Sequence, residues 1–233
     1  MTPQEIIDGQ VLLVDKPLEW TSFQAVAKIR FTLQKLTGKK KLKVGHAGTL
    51  DPLASGLLII CVGKKTKEIS SFMGMEKEYT AGIKLGATTP SYDLESSVDA
   101  TFPTDHITLE GIHEVLANFT GDIAQIPPIF SAIKKGGVRA YEKARAGEDI
   151  QMEPRQVNIR EIEVLSFEDD VLNVRIVCSK GTYIRSLAHD IGRSLQSGGH
   201  LVALRRTKIG SYEAENGKGP NEWAQYFQEV IVS

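Results

Sequence analysis

The chain has 233 residues, 41% of them hydrophobic and 24% charged, with a net charge of −1. That is enough for one large domain or two small ones with a proper core. No apolar run approaches the ~18 residues of a membrane span, and the polar, acidic opening MTPQEIIDG is unlike a secretory leader. A cytoplasmic protein without membrane contact is expected. Cys61 and Cys178 lie in apolar stretches without metal-site or CxxC spacing, which reads as two buried thiols.

In chain order, Val11–Asp15 reads as a buried strand stopped by Lys16-Pro17, because proline removes a donor and restricts its neighbour. Ser22 is placed to cap a helix running to about Leu36, with Phe23, Val26, Arg30 and Leu33 near helical spacing. The basic loop 38–43 follows. Gly56–Val62 is a second apolar strand, and Lys77–Leu85 alternates loosely as a third. Residues 86–106, rich in Thr, Ser, Pro and Asp, read as an exposed loop. Thr108 is placed to cap a short helix to about Phe119. Residues 125–155 look like a long excursion from the core, and long structured loops are often functional. Strands are expected near 157–167 and 171–178. Ile184, Leu187, Ala188, Ile191 and Leu195 mark one face of an amphipathic helix. Leu201–Ile209 reads as a strand, and Asn221 is placed to cap a closing helix. This mixed order predicts an α+β domain around a largely antiparallel sheet.

Charge is unevenly distributed. Lys28 to Lys67 holds ten Lys/Arg and one acid, and Arg175 to Lys208 holds seven and one. The rest of the chain carries −16. An acidic body with two basic segments can attract a polyanion to one face, which points to phosphate binding. Taken alone, GKKKLK at 38–43 would read as solvated surface.

The one carboxylate of the first basic segment is Asp51, in Lys43-Val-Gly-His46-Ala-Gly48-Thr49-Leu-Asp51-Pro52. Nearby positive charge favours an ionised carboxylate, although Asp before Pro is also a common turn residue. Other chemistries drop out. There is no GxxxxGK[ST] phosphate loop, no GxSxG elbow and no zinc-deaminase signature. The five histidines are scattered, so no metal and no cofactor is expected.

The stretch VGHAGTLDPLASGLLIICVGKKTK at 44–67 closely resembles the hallmark segment of TruB-family tRNA pseudouridine synthases. VDKP at 14–17, KEYTAGIKLG at 77–86, GTYIRSLAHDIG at 181–192 and LRRTKIG at 204–210 resemble further blocks of that family in the same order. QIPPIFSAIKKGGVRAYEKARAG at 125–147 is similar to its RNA-gripping insertion. A match of this length far exceeds a lone motif in specificity.

The resemblance implies a pseudouridine-synthase fold and isomerisation of uridine 55 in the T-loop of tRNA. It makes Asp51 the nucleophile, Tyr79 the tyrosine that stacks near the target base, and Arg185 the arginine that pairs with the aspartate. It places Leu204 against the uracil, gives His46 to the everted loop conformation, and sets Lys16 and Pro17 beside the catalytic loop. Asp93 approximates a substrate-contacting acid. Lys39, Lys40 and Lys41 are the phosphate contacts expected from charge. Residues 1–212 are expected to form the catalytic domain and 213–233 a short tail, too short for the PUA domain of longer relatives. The partner expected is the tRNA T-stem-loop, bound by a monomer that needs no protein partner. Without the resemblance, Tyr79 and Leu204 would read as plain core and Arg185 as a surface cation. Another RNA substrate, an RNA-folding module, and an acidic structural protein remain as rival readings.

Overall fold

The computed structural model describes residues 2–131, 134–135, 138–139 and 152–232. Most of the expected insertion at 125–155 lies outside the described residues. The chain forms two compact units, one of Met1–Tyr79 with Leu204–Ser233 and one of Thr80–Ala203.

In the first unit, α1 (Pro3–Asp8) starts at a capping box made by Thr2 and Glu5. Strand β1 (Gln10–Lys16) pairs antiparallel with β3 (Ser55–Val62), from Gln10 opposite Val62 to Lys16 opposite Gly56. The short β2 (Val44–His46) also pairs with β3. The run LLIICV is apolar throughout because β3 is buried on both faces. Leu58, Ile60 and Val62 pack with Ile6, Leu12, Val14 and Phe227. Leu57, Ile59 and Cys61 pack with Ala47, Phe72 and Ile209. Helix α2 (Ser22–Thr37) covers the first of these layers through Ala25, Val26, Ile29 and Leu33. Its cap is Thr21 in a capping box with Gln24, one residue before the Ser22 expected. Phe23, expected on the apolar stripe, is on the outside. A 3₁₀ turn (Gly63–Glu68) and α3 (Ile69–Gly74) lead into β4 (Lys77–Leu85).

The same unit takes in the chain's end. Strand β12 (Gly199–Ile209) pairs parallel with β3 at Arg205–Ser55 and Arg206–Gly56, and antiparallel with β13 (Tyr212–Glu213). The residues after 212 pack on this unit through a few buried side chains. In α6 (Pro220–Val232), Phe227 is fully buried, and the Trp223 indole donates to the Leu13 carbonyl at 2.8 Å.

In the second unit β4 neighbours β11 (Val171–Cys178), which pairs antiparallel with β10 (Arg155–Glu168), and β10 pairs antiparallel with β7 (Gly121–Gln125). Helix α4 (Leu109–Ala117) is capped by Thr108 as expected. Helix α5 (Ile184–Ser194) buries Ile184, Leu187, Ala188 and Ile191. The strands β8 (Lys134–Lys135) and β9 (Val138–Arg139) pair antiparallel. Residues 86–106 are not simply exposed. Strands β5 (Ala87–Thr88) and β6 (Ala100–Thr101) pair there, and Thr89, Ser91 and Asp93 are buried. Local hydrogen bonds explain this, since the Thr89 and Ser91 hydroxyls both donate to the Asp93 carbonyl, at 2.8 and 3.2 Å. Buried polar groups are tolerated when they are so paired. The architecture is α+β with a mixed sheet, as the sequence implied.

Candidate active site

Asp51 sits in the short loop between β2 and β3 of the first unit, and that loop is gripped at several points. The Ala47 amide donates to the Ile59 carbonyl at 2.9 Å. The Ser22 hydroxyl accepts from the Leu50 amide at 2.8 Å and donates to the Leu50 carbonyl at 3.0 Å, both bonds being buried. One hydroxyl thus satisfies both main-chain groups of the residue before Asp51. The Glu19 amide donates to the Pro52 carbonyl at 2.9 Å.

Two buried cations hold the same segment. The Lys16 ammonium donates to the carbonyls of Trp20 at 2.6 Å and Pro17 at 3.0 Å, and reaches that of Pro52 at 3.5 Å. Burial pushes its pKa down to about 8, while the Asp51 carboxylate pulls it back up and Arg206 depresses it. Arg206 donates from Nε to the Leu57 carbonyl at 2.7 Å and from Nη2 to the Gly48 carbonyl at 3.1 Å. The loop depends on glycine at two places. Gly48 has φ +104°, in the left-handed region. Gly56 has φ +102°, and a Cβ there would stand 2.2 Å from the Arg206 carbonyl oxygen.

His46 lies on β2, opposite Ile60. Burial and the Arg206 charge lower its pKa, a hydrogen bond to Gly48 opposing them, so it is neutral at neutral pH. Its Nδ1 has no hydrogen-bond partner. Tyr79 is buried on β4, and Leu204 is half-buried on β12. Pro17 is exposed. Lys39, Lys40 and Lys41 are exposed in the loop after α2, where the Gln34 side chain holds the Lys40 carbonyl at 2.7 Å.

Arg185 and Asp93 belong to the second unit. Arg185 is buried on the first turn of α5. Its Nη2 donates to the Phe130 carbonyl at 2.8 Å and its Nη1 to the Ser91 carbonyl at 3.2 Å. Its Nε stands 3.7 Å from the Asp93 carboxylate, whose other oxygen accepts from the Glu95 amide at 3.0 Å. Asp93 is buried beside the arginine. Gln125 fixes the start of α5 by pairing with both main-chain groups of Tyr183, at 2.8 and 3.1 Å. The Ser186 hydroxyl donates to the Ile126 carbonyl at 2.7 Å.

Comparisons with known proteins identify the family. A family model described as TruB family pseudouridylate synthase, N-terminal domain, matches residues 34–184, and one described as tRNA pseudouridylate synthase B C-terminal domain matches residues 185–218. The tRNA pseudouridine synthase B of Flavobacterium johnsoniae is 59% identical over 93% of this chain and 95% of that protein. Its namesake from Parabacteroides distasonis is 50% identical over 98% of this chain and 97% of that protein. The chain belongs to the TruB family. In a Cbf5-Nop10-Gar1 crystal structure one chain matches with a TM-score of 0.73 and 30% identity, covering 97% of this chain and 57% of that one. This chain therefore spans little more than half of that solved chain.

Ser22, Arg206, Gln125 and Ser186 also hold main-chain groups next to these residues. By sequence Ser22 reads as a helix cap, and Arg206 stands in a matched block without a role of its own. Gln125 and Ser186 carried no signal beyond their place beside matched motifs. Among the described residues, no group of three or more His, Cys, Asp or Glu could hold a metal ion, and no helix is long and apolar enough to cross a membrane.

Proposed function

We propose that the chain converts the uridine at position 55 of the tRNA T-loop into pseudouridine, with Asp51 as nucleophile. The observation that carries this reading is the grip of Ser22, Lys16 and Arg206 on the main chain of residues 48–52. A loop tied by these buried and half-buried bonds holds its carboxylate in one place, as a nucleophile requires. The relatives' names supply tRNA as the substrate.

The reaction breaks the N1–C1′ bond, turns the uracil and joins C5 to C1′. The C5 proton is lost and N1 regains one, so the change is an isomerisation with no redox partner. The base must leave a folded loop first, at a cost of a few kcal/mol. Stacking on Tyr79 and packing on Leu204 offset part of that cost. Arg185 is assigned to the reaction in this proposal on the strength of the family block GTYIRSLAHDIG. The test is mass spectrometry of pseudouridine in transcripts of whole tRNA and of the T-arm hairpin treated with the pure protein. Pseudouridine at position 55 with wild type and none with Asp51→Asn is expected. Modification elsewhere, or unchanged yield from the variant, overturns the assignment.

A further inference from the structure

Helix α2 has a buried face and an outward face of unusual composition. Inward go Ala25, Val26, Ile29 and Leu33. Outward, Phe23 and Phe31 are 66% and 70% exposed. Positions 23, 27 and 31 fall on one line of a helix, with Ala27 leaving space between the two rings. Eight residues at 1.5 Å each put the two phenylalanines ~12 Å apart along the axis. Among the described residues, neither ring is a member of the first unit's apolar clusters.

The surroundings of the rings are cationic. The Arg30 guanidinium lies 5.8 Å from the Phe23 ring centroid. Lys28 and Lys35 are exposed on the helix, and Lys39, Lys40, Lys41 and Lys43 are exposed on the loop that follows. Between Glu19 and Asp51 the chain has seven Lys/Arg and no acid. A second copy of this chain would bring the same positive charge against itself, which opposes self-association through this face. A polyanion with flat, stackable groups satisfies both features at once.

We propose that the outward face of α2 is an RNA-binding surface, in which Phe23 and Phe31 each stack an unpaired base while Lys28, Arg30, Lys35 and the lysines of 39–43 hold the phosphates. Aromatic rings interleaved with cations are the usual platform for single-stranded nucleic acid. The ~12 Å spacing is several times the 3.4 Å rise of one strand in a duplex, so the rings suit a loop or single strand, not successive stacked bases. The inference rests on the reading of the chain as an RNA-modifying enzyme, but it concerns a surface separate from the loop at 48–52.

The test is fluorescence anisotropy of labelled tRNA transcript with the full chain, alongside turnover at saturating RNA. Phe23→Ala/Phe31→Ala should raise Kd about a hundredfold, roughly tenfold for each lost stack. Its kcat and melting temperature should match wild type, because both rings are exposed. Phe23→Leu/Phe31→Leu keeps apolar area without the rings and should be nearly as weak as the alanine pair. Lys28→Glu/Lys35→Glu should lower the salt slope of binding by about 0.7–0.9 for each lost phosphate contact. A double alanine variant that binds tRNA within twofold of wild type overturns the proposal, and is what a surface built for an acidic protein would give. Leucine variants that bind like wild type overturn stacking. A wild type that binds tRNA through this face yet forms no pseudouridine would sink the proposed reaction and leave this surface standing.

Discussion

Ser22→Ala is the sharpest probe of the Asp51 loop. The substitution removes one hydroxyl and changes little else in shape. It leaves the Leu50 amide and carbonyl, both buried, without the partner that now serves them at 2.8 and 3.0 Å. An orphaned buried polar group costs about 1–3 kcal/mol, so the pair should cost roughly 3 kcal/mol. For a chain of this size that is a fall in melting temperature of roughly 6–12 °C. Helix α2 itself should persist, because its cap is Thr21. The chemical effect should exceed the binding effect. Leu50 precedes Asp51, and a displacement near 1 Å at a reacting group costs on the order of 100-fold in rate. The assay is urea unfolding together with single-turnover kinetics at saturating tRNA. Reduced stability, kcat lower by about 10- to 100-fold and KM near wild type are expected. Ser22→Cys, with a weak donor of similar size, should fall between. A Ser22→Ala enzyme with wild-type stability and kcat would show that the clamp does not position the loop.

The other predictions follow from the same geometry. Asp51→Asn should keep the fold and RNA affinity and lose turnover in the pseudouridine assay; near-wild-type turnover refutes its role. Arg185→Lys should be severely impaired in the same assay, because lysine cannot serve the Phe130 and Ser91 carbonyls and Asp93 together. Lys16 gives a pH signature. Its folded pKa of about 8 lies below the ordinary 10.5, so between these values the unfolded chain holds a proton that the folded chain has released. Stability should therefore rise with pH across that window, by up to ~3 kcal/mol, and urea titrations of Lys16→Met should lack that rise. Reversing Lys39, Lys40 and Lys41 to glutamate should flatten the salt dependence of tRNA binding by about 0.7–0.9 per lost phosphate contact; an unchanged slope would make the loop plain solvated surface.

The sequence disclosed what depends on periodicity and block order. Strand β4 was placed to the residue, and the two-sided burial of β3 is written in LLIICV. It hid what depends on contacts between distant segments. Ser22 bonds across 28 positions to Leu50, and Arg206 across 158 to Gly48. Neither partner is marked by local pattern. Thr21 and Ser22 are both good caps, and only the capping box with Gln24 decides between them. Phe23 misled in the opposite direction, because a large apolar residue near helical spacing reads as core whether or not a partner covers it. The loop at 86–106 was misjudged because composition counts hydroxyls as solvent-seeking, whereas those of Thr89 and Ser91 are satisfied by the chain itself.

The choice of partners around Asp51 has a further consequence. Lys16 and Arg206 are buried, and both donate to main-chain carbonyls. A carbonyl satisfies a donor without cancelling its charge, so both cations keep a full positive field in the interior. The cost is visible in Lys16, where burial pulls the pKa down to about 8. The reach of the field is visible too, since Arg206 depresses both Lys16 and His46. The carboxylate that pulls Lys16 back towards its charged form is that of Asp51, and such an attraction is mutual. Internal acids paired with Lys16 and Arg206 would have neutralised them and stabilised the charges locally. They would also have removed the positive field from the loop. Carbonyl partners fix the loop and leave the positive charge acting on the Asp51 carboxylate, which suits the nucleophile role proposed for it.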